Sequence, residues 1–207
     1  MQVVALASEK GGSGKTTLAC SLSVVGAQGG LSVALVDADP QGSAAAWGAR
    51  REVLIGPDVV HVPLASVPDA VEAARERYDL VLLDTPGQAT ASNKALACAD
   101  LVLVPCRPTI PDIEVAARAH ATASRVAAAA AFVVVQVPGR GEKRAQATDD
   151  ALSELGPVAP VRVGFRNAFA DAVALGLGVT EFQPRSKAAS EMLDLWMWTT
   201  GRLKEVP

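Results

Sequence analysis

The sequence is poor in aromatic residues and in cysteine. Aromatic side chains make up only 4% of the 207 residues, whereas 50% are hydrophobic, so the core must be built mainly from alanine, valine and leucine. The cysteines Cys20, Cys98 and Cys106 are odd in number and form no Cys-x-x-Cys pair. This usage argues against a disulfide scaffold and a zinc ribbon, and it predicts a reducing, cytoplasmic setting.

The chain also lacks an excess of positive charge and a long apolar segment. Its 19 basic and 22 acidic side chains give a formal net charge of −3, so a DNA-binding surface would have to be a local patch of the folded protein. No signal peptide is expected, because Met1 leads into an apolar run without a basic segment. The apolar run from Val126 to Val135 is shorter than the roughly 20 residues of a membrane span.

Short apolar runs alternate with longer helical stretches. Most of these runs are continuous, as is typical of strands that are buried on both faces of a parallel sheet. The pattern predicts one α/β domain over residues 1–207, with a doubly wound, mostly parallel sheet flanked by helices. The predicted strands are 3–7, 33–37, 59–62, 80–84, 101–105, 132–137 and 160–163. The predicted helices are 15–28, 67–77, 91–97, 112–129, 144–155, 167–175 and 186–203.

The strongest local pattern is the glycine-rich segment SEKGGSGKTT at residues 8–17. It follows a predicted strand and opens a predicted helix, which is the context of a phosphate-binding loop. Lys15 is placed to bridge the β- and γ-phosphates of a nucleotide, and the Thr16 hydroxyl is placed to hold Mg²⁺. The predicted nucleotide contacts of this loop are Lys10, Gly11, Gly12, Ser13, Gly14, Lys15, Thr16 and Thr17.

Two further predicted strands end in carboxylates. Asp37 and Asp39 share a face because they are two residues apart, and Asp84 ends the strand at 80–84. Beside a triphosphate such groups can orient Mg²⁺ and the attacking water, although Asp37 and Asp39 alone could simply mark a strand end. Gly87 could offer its N–H to the γ-phosphate. The metal-ligand candidates are Thr16, Asp37, Asp39 and Asp84.

The phosphate loop departs from the ordinary pattern, which requires a glycine where this chain has Glu9. The residues present, Lys-Gly-Gly-Ser-Gly-Lys-Thr from Lys10 to Thr16, resemble the deviant Walker-A motif of the ParA/MinD ATPase family. The segments 37–41 and 84–87 are similar to that family's two switch regions. The specific motifs lie within residues 8–112, and the resemblance implies the P-loop fold for the whole domain.

The resemblance also implies a mechanism. ATP and Mg²⁺ would be the cofactors, and Lys10, Lys15 and Asp39 would be the catalytic residues of a slow, partner-stimulated ATP hydrolase. Lys10 would reach across an ATP-bound homodimer to the partner's nucleotide, and Asp39 would position or activate the water. The ATP dimer would bind DNA non-specifically on the nucleoid, and a centromere-binding or cargo-adaptor protein would activate hydrolysis.

The residues that recognise the base are less well defined by the sequence. Pro108, Pro111 and Asp112 are candidates for base or cross-dimer contacts, but the same loop could be a rigid connector that Asp112 caps at the next helix. Family members often have asparagine near the end of the strand at 132–137, where this chain has Gln136. The candidates to close over the base instead are Phe165 and Arg166, with Asn167 directly after them.

The second half of the chain leaves the partner open. Basic residues there either contact DNA or form a solvated face; they are Arg140, Lys143, Arg144, Arg162, Arg166, Arg185 and Lys187. The last helix is expected to pack in the core, and a membrane partner is therefore not expected. Its predicted core stripe is Ala189, Met192, Leu193, Trp196 and Leu203, with Leu195 and Trp198 off the stripe.

Several related functions are consistent with these motifs. Because the phosphate loop lies so near the start, no N-terminal DNA-binding extension is expected, and the chain is most similar to small stand-alone ParA ATPases that position or segregate plasmid or chromosomal DNA. The alternative is a MinD-like or cargo-positioning ATPase that acts on a membrane surface or a protein assembly. Cys98 and Cys106 do not match the spacing of a nitrogenase-type cluster reductase, and no small-molecule ligase signature is present.

Overall fold

A parallel sheet organises the computed structural model, which describes residues 1–53, 55–87, 93–127 and 129–205. Within these ranges the sheet has six strands in the order β3-β2-β4-β1-β5-β6, and each neighbouring pair is parallel. The strands are β1 (Gln2–Leu6), β2 (Val33–Asp37), β3 (Asp58–His61), β4 (Leu80–Asp84), β5 (Leu101–Cys106) and β6 (Ala130–Val134). The predicted doubly wound α/β architecture is confirmed.

Helices cover both faces of the sheet. The helices are α1 (Lys15–Gln28), α2 (Ser43–Ala49), α3 (Val67–Ala74), α4 (Asn93–Leu96), α5 (Ile110–Val126), α6 (Glu142–Ser153), α7 (Asn167–Ala174), α8 (Val179–Phe182) and α9 (Lys187–Glu205), with a 3-10 turn at Leu64–Ser66. Because successive strand residues point to opposite faces, Leu6 and Leu82 pack with α1 and α9, whereas Ala5 and Leu83 pack with α3, α4 and α5.

The central strands end together at one edge of the sheet. Leu6 at the end of β1 and Asp37 at the end of β2 are both in register with Asp84, the last residue of β4. The loops that follow these strands therefore leave from one place, outside the carboxyl ends of a parallel sheet, where open α/β folds bind ligands.

The strand predicted at 160–163 does not form. The N–H groups of Ala159 and Val163 donate to Phe132 O (2.8 Å) and Val134 O (2.9 Å), so this segment advances four residues while β6 advances two. Pro160 lies inside the bulged stretch and has no N–H to donate, which explains why regular pairing is lost.

Other predicted boundaries were shifted. The strand predicted at 132–137 is β6, which ends at Val134, and Gln136 just beyond it adopts a left-handed φ of 54° that is incompatible with an extended strand. The helices α2 and α8 were not predicted. The first two residues of the helix predicted at 91–97 lie outside the described residues.

The buried face of α9 also differs from the prediction. Leu195 is fully buried, whereas Leu193 is 43% exposed, so the predicted inclusion of Leu193 and exclusion of Leu195 were both wrong. Trp196 and Trp198 pack against the core from its edge. In the described part of the chain, no helix has the length and apolar character needed to cross a membrane.

The rotated stripe of α9 predicts unequal effects of two leucine substitutions. Leu195→Ala should lower the free energy of unfolding by about 2–5 kcal/mol, because it leaves a cavity in the core. Leu193→Ala, two residues earlier and so about 200° away around the helix, should change it by less than about 0.5 kcal/mol. Chemical denaturation of both variants would measure this, and equal losses would contradict the observed stripe.

Candidate functional site

The glycine-rich loop joins β1 to α1 at the carboxyl edge of the sheet. Gly12 and Gly14 have left-handed φ values of 71° and 96°, which a residue with a Cβ rarely adopts. Gly14 is the N-cap of α1, and the first turn of that helix contains no acidic side chain. The positive end of the helix is therefore left facing the loop, as an anion-binding site requires.

A cavity of about 730 Å³ lies over this loop. The predicted residues Lys15, Thr16, Asp39 and Gly87 all line it. Gly87 lies close to the Lys15 ammonium, because a Cβ there would be 3.9 Å from Lys15 Nζ. The full lining is Gly11, Gly12, Ser13, Gly14, Lys15, Thr16, Thr17, Asp39, Pro40, Gln41, Ser43, Leu64, Pro86, Gly87 and Val173.

Asp84 and Thr16 meet beneath this cavity. Thr16 Oγ1 donates to Asp84 Oδ2 at 2.6 Å, while the buried Asp84 Oδ1 has no hydrogen-bond partner among the described residues. Burial raises the pKa of Asp84 to about 7, although the hydrogen bond from Thr16 opposes this shift. Burial also lowers the pKa of Lys15, against the attraction of the Asp84 and Asp39 carboxylates.

Asp37 and Asp39 have different surroundings. Asp37 is fully buried, and its two carboxylate oxygens accept the N–H groups of Asp39 (3.1 Å) and Ala45 (2.8 Å). Asp39 Oδ1 accepts the N–H of Gln41 at 2.9 Å, and Asp39 lines the cavity. Asp37 thus holds the loop and the start of α2, and its role in a metal shell stays a prediction.

A smaller cavity of about 230 Å³ adjoins the first. Gly14 and Thr17 line both, and the predicted base contacts Phe165 and Arg166 line the smaller one. Gln136 also lines it, and its Nε2 donates to Gly12 O at 2.8 Å. The remaining lining is mainly apolar: Leu18, Val135, Val163, Gly164, Asn167, Phe169 and Ala170.

Lys10 is turned away from both cavities. Its Nζ lies 3.1 Å from Asp112 Oδ1, which also lies 3.0 Å from Arg107 Nη2. The N-cap of α5 is Thr109, whose Oγ1 accepts the N–H of Asp112, so the cap that one interpretation of this loop assigned to Asp112 is supplied by Thr109. Asp112 instead pairs with the two cations.

Pro108 lines neither the larger cavity over the phosphate loop nor the smaller cavity beside it. It is buried and lines a separate cavity of about 600 Å³ between α5 and α6, together with Pro111 and Arg144. A contact of Pro108 with a nucleotide of a second subunit stays a prediction.

Two of the basic residues considered for DNA are committed to carboxylates. Arg162 pairs with Glu142 and with Asp149, and Arg166 pairs with Glu191 at 2.6 Å. Those that are exposed are Arg140, Lys143, Arg144, Arg185 and Lys187.

Some cavity residues escaped the sequence analysis. Gln41 and Ser43 lie two and four residues after Asp39; Gln41 was given no role of its own within the segment 37–41, and Ser43 begins α2, which was not predicted. Leu64 and Val173 are far from the phosphate loop in the sequence. Nothing in the sequence around an apolar residue indicates that it lines a cavity formed by distant segments.

A comparison with known protein families matches residues 4–179 to the CobQ/CobB/MinD/ParA nucleotide binding domain. The chain belongs to this family. Members of the ParA/MinD family are P-loop ATPases, and the resemblance stated from the motifs is confirmed.

Individual ParA/MinD relatives agree with this assignment. The chain is 39% identical to the chromosome-partitioning ATPase Soj of Thermus thermophilus, over 60% of this chain and 62% of that protein. It is 28% identical to a maintenance of carboxysome distribution protein A of Halothiobacillus neapolitanus, over 92% of each. The chain spans between 53% and 62% of the curated relatives that it matches at 32–39% identity.

The fold also matches solved ParA/MinD structures. The septum site-determining protein MinD of Pyrococcus horikoshii, complexed with Mg-ADP, superposes with a TM-score of 0.81 at 19% identity. The match covers 96% of this chain and 95% of that one.

The residues present fit a magnesium nucleotide. Among the residues that the structure describes, the buried Asp84 Oδ1 has no partner, and Thr16 Oγ1 lies beside the same carboxylate. The available metal ligands are therefore oxygens, which Mg²⁺ prefers. The buried Ser13 Oγ likewise has no partner among the described residues. Glycine backbone, Lys15 and the end of α1 supply the positive surroundings that phosphates require.

Proposed function

We propose that this chain is an ATPase that dimerises on ATP, binds DNA non-specifically as the dimer, and positions or segregates plasmid or chromosomal DNA. The observation that carries the proposal is the pair of adjoining cavities. The larger one has the phosphate loop, Lys15 and Asp39, and the smaller one has a mainly apolar lining, which supports a nucleotide with its phosphates in the first and its base in the second.

The chain's own groups account for hydrolysis. Lys15 and the backbone N–H groups of the loop hold the β- and γ-phosphates, and Gly87 adds an N–H near Lys15. Asp39 holds the attacking water, since it lines the cavity beside these groups. Thr16 and Asp84 would hold Mg²⁺, and the chemistry it would supply there is neutralisation of charge on the phosphate oxygens.

Dimerisation is supported by the position of Lys10. A lysine inside the phosphate loop that contributes nothing to its own cavity is available to a second subunit once it leaves Asp112. We infer that two subunits close over two nucleotides and that each Lys10 contacts the phosphates of the other subunit.

The DNA and partner assignments rest on the relatives and on charge. Soj is named as a chromosome-partitioning ATPase, and this chain has exposed basic residues in its second half despite its net charge of −3. Non-specific DNA binding needs only phosphate contacts, which a local patch on the dimer can make. An activating centromere-binding or cargo-adaptor protein would then reset the dimer.

A second candidate cargo is a protein assembly. The relative with which this chain aligns over 92% of both lengths is named for maintaining the distribution of carboxysomes. The ATP switch would be the same, and only the adaptor that reads it would differ.

Light scattering after size-exclusion chromatography tests the proposal on the Asp39→Ala protein. We expect a monomer with ADP and a dimer with ATP, because ATP binds but is not hydrolysed, and we expect the dimer to shift onto non-specific DNA. Asp69→Ala, at an exposed position of α3 that lines neither cavity, is the control and should hydrolyse ATP like the unmodified protein.

Other results would change the proposal in defined ways. Normal hydrolysis by Asp39→Ala would contradict the role given to Asp39. A dimer that ignores DNA would exclude the DNA surface and favour the protein-assembly cargo. A monomer under every condition would contradict the cross-dimer role of Lys10.

A further inference from the structure

Three side chains at the end of α2 hold the backbone at the end of α7. All three donate to main-chain carbonyl groups, one in the last turn of α7 and two in the turn that follows it. The bonds run from Trp47 Nε1 to Leu177 O (3.1 Å), from Arg50 Nη2 to Val173 O (3.1 Å) and from Arg51 Nη1 to Gly176 O (2.9 Å). We call these three side chains and their acceptors the α2–α7 clamp.

A buried ion pair fixes the geometry of the clamp. Arg51 makes two bonds to the Glu181 carboxylate, at 2.8 and 3.1 Å, and their side chains are only 6% and 11% exposed. The Arg51 guanidinium also lies 4.7 Å from the centre of the Trp47 ring. Because two hydrogen bonds join the buried Arg51 and Glu181 side chains, this ion pair has one defined geometry. A displacement of one of the two side chains is therefore passed on to the other.

The two backbones touch directly at Gly176. This residue has a left-handed φ of 70°, and a Cβ there would lie 2.7 Å from Arg50 C. At this point the backbone at the end of α2 therefore packs directly against the turn after α7, with no side chain of Gly176 between them.

The clamp joins elements that serve the two different cavities. Asp37 holds the first turn of α2 through the N–H of Ala45, and Asp39 just before that helix lines the larger cavity. On the other side, Phe169 of α7 lines the smaller cavity and Val173 lines the larger one. The clamp therefore connects α7, which lines the smaller cavity, to α2, which directly follows the loop that contains Asp39.

We propose that the α2–α7 clamp couples filling of the smaller cavity to the position of the Asp39 loop, with Arg51 as a positioning residue. This inference rests on the proposed function, in which the base of the nucleotide fills the smaller cavity. A base packed against Phe169 restricts α7, and the clamp passes that restriction to α2 and to the loop before it. Asp39 is then held in place only when a complete nucleotide is bound.

Amide hydrogen exchange of residues 37–49 tests the coupling with two probes. Magnesium pyrophosphate occupies only the larger cavity, whereas magnesium ADP occupies both. In the unmodified protein we expect ADP to slow exchange in this segment about fivefold or more beyond pyrophosphate, which is the lower range of a coupling between sites. In the Arg51→Met/Glu181→Gln protein we expect this difference to vanish while ADP still binds.

The double variant removes both buried charges, so neither is left without its partner, and Arg50→Ala offers a milder second test that removes one exposed bond. The control is Arg202→Gln, which breaks the ion pair between Arg202 and Glu205 in α9. Arg202 lines neither cavity. This variant should keep the full difference between the two probes. A general loss of stability would speed exchange with both probes alike and leave their ratio unchanged.

Three results would overturn the inference. A persisting difference in the clamp variants would show that another route couples the cavities. An equal response to both probes in the unmodified protein, with both bound, would refute the coupling and leave the proposed function standing. Failure of the unmodified protein to bind either probe would overturn the proposed function itself.

Discussion

Lys15→Ala is expected to lower the affinity for ATP by more than about a hundredfold. The ammonium group lies in the larger cavity and would lose charge-assisted hydrogen bonds to two phosphates, each worth about 1.5–3 kcal/mol, where 1.4 kcal/mol is a factor of ten. Isothermal titration with magnesium ATP would measure the loss.

The matched control for this experiment is Lys94→Ala. Lys94 is exposed on α4 and lines neither cavity, so its removal changes the net charge equally without touching the site. Unchanged ATP affinity in Lys15→Ala would mean that the phosphates lie elsewhere.

Lys10→Ala is expected to separate binding from dimerisation. Because Lys10 lines neither cavity of its own subunit, the variant should still bind one ATP, whereas the ATP dimer should weaken about thirtyfold or more. The estimate follows from about 2–5 kcal/mol for removing one partner of a buried charge pair at an interface. Sedimentation of Asp39→Ala with and without Lys10→Ala would measure the change.

Arg118→Ala is the control for the Lys10 experiment. Arg118 pairs with Glu9 at 3.3 Å, so its loss breaks the neighbouring link between the phosphate loop and α5 without removing Lys10. Equal weakening of the dimer by both variants would attribute the effect to loop placement instead of a cross-subunit contact.

The sheet could be predicted closely because its signals are local. The runs at 33–37 and 80–84 match β2 and β4 at both ends, since a strand buried on both faces is continuously apolar and here ends in an aspartate. The segment at 160–163 has only two valines beside Pro160 and Arg162, and a bulge around Pro160 breaks its pairing. Whether a neighbouring strand tolerates such a bulge is a tertiary property.

The site divides along similar lines. Lys15 and Thr16 belong to one sequence motif and Asp84 to another, and the register of β1 with β4 brings the two motifs together. The clamp could not be predicted, because Arg51 and Glu181 are far apart in the chain and neither belongs to a motif. The short helix α2, which orients Arg51, is mostly alanine and was hidden by its lack of an apolar pattern.

Asp112 has a counterion in reserve. Arg107 Nη2 lies 3.0 Å from Asp112 Oδ1, the same oxygen that Lys10 contacts. When Lys10 leaves, the buried Asp112 carboxylate therefore still has a counterion. The electrostatic barrier to releasing Lys10 is therefore lower than for an isolated buried pair, in which the remaining charge would be left uncompensated. The ion pair with Asp112 thus keeps Lys10 ordered in the monomer, while the free-energy cost of releasing Lys10 stays low.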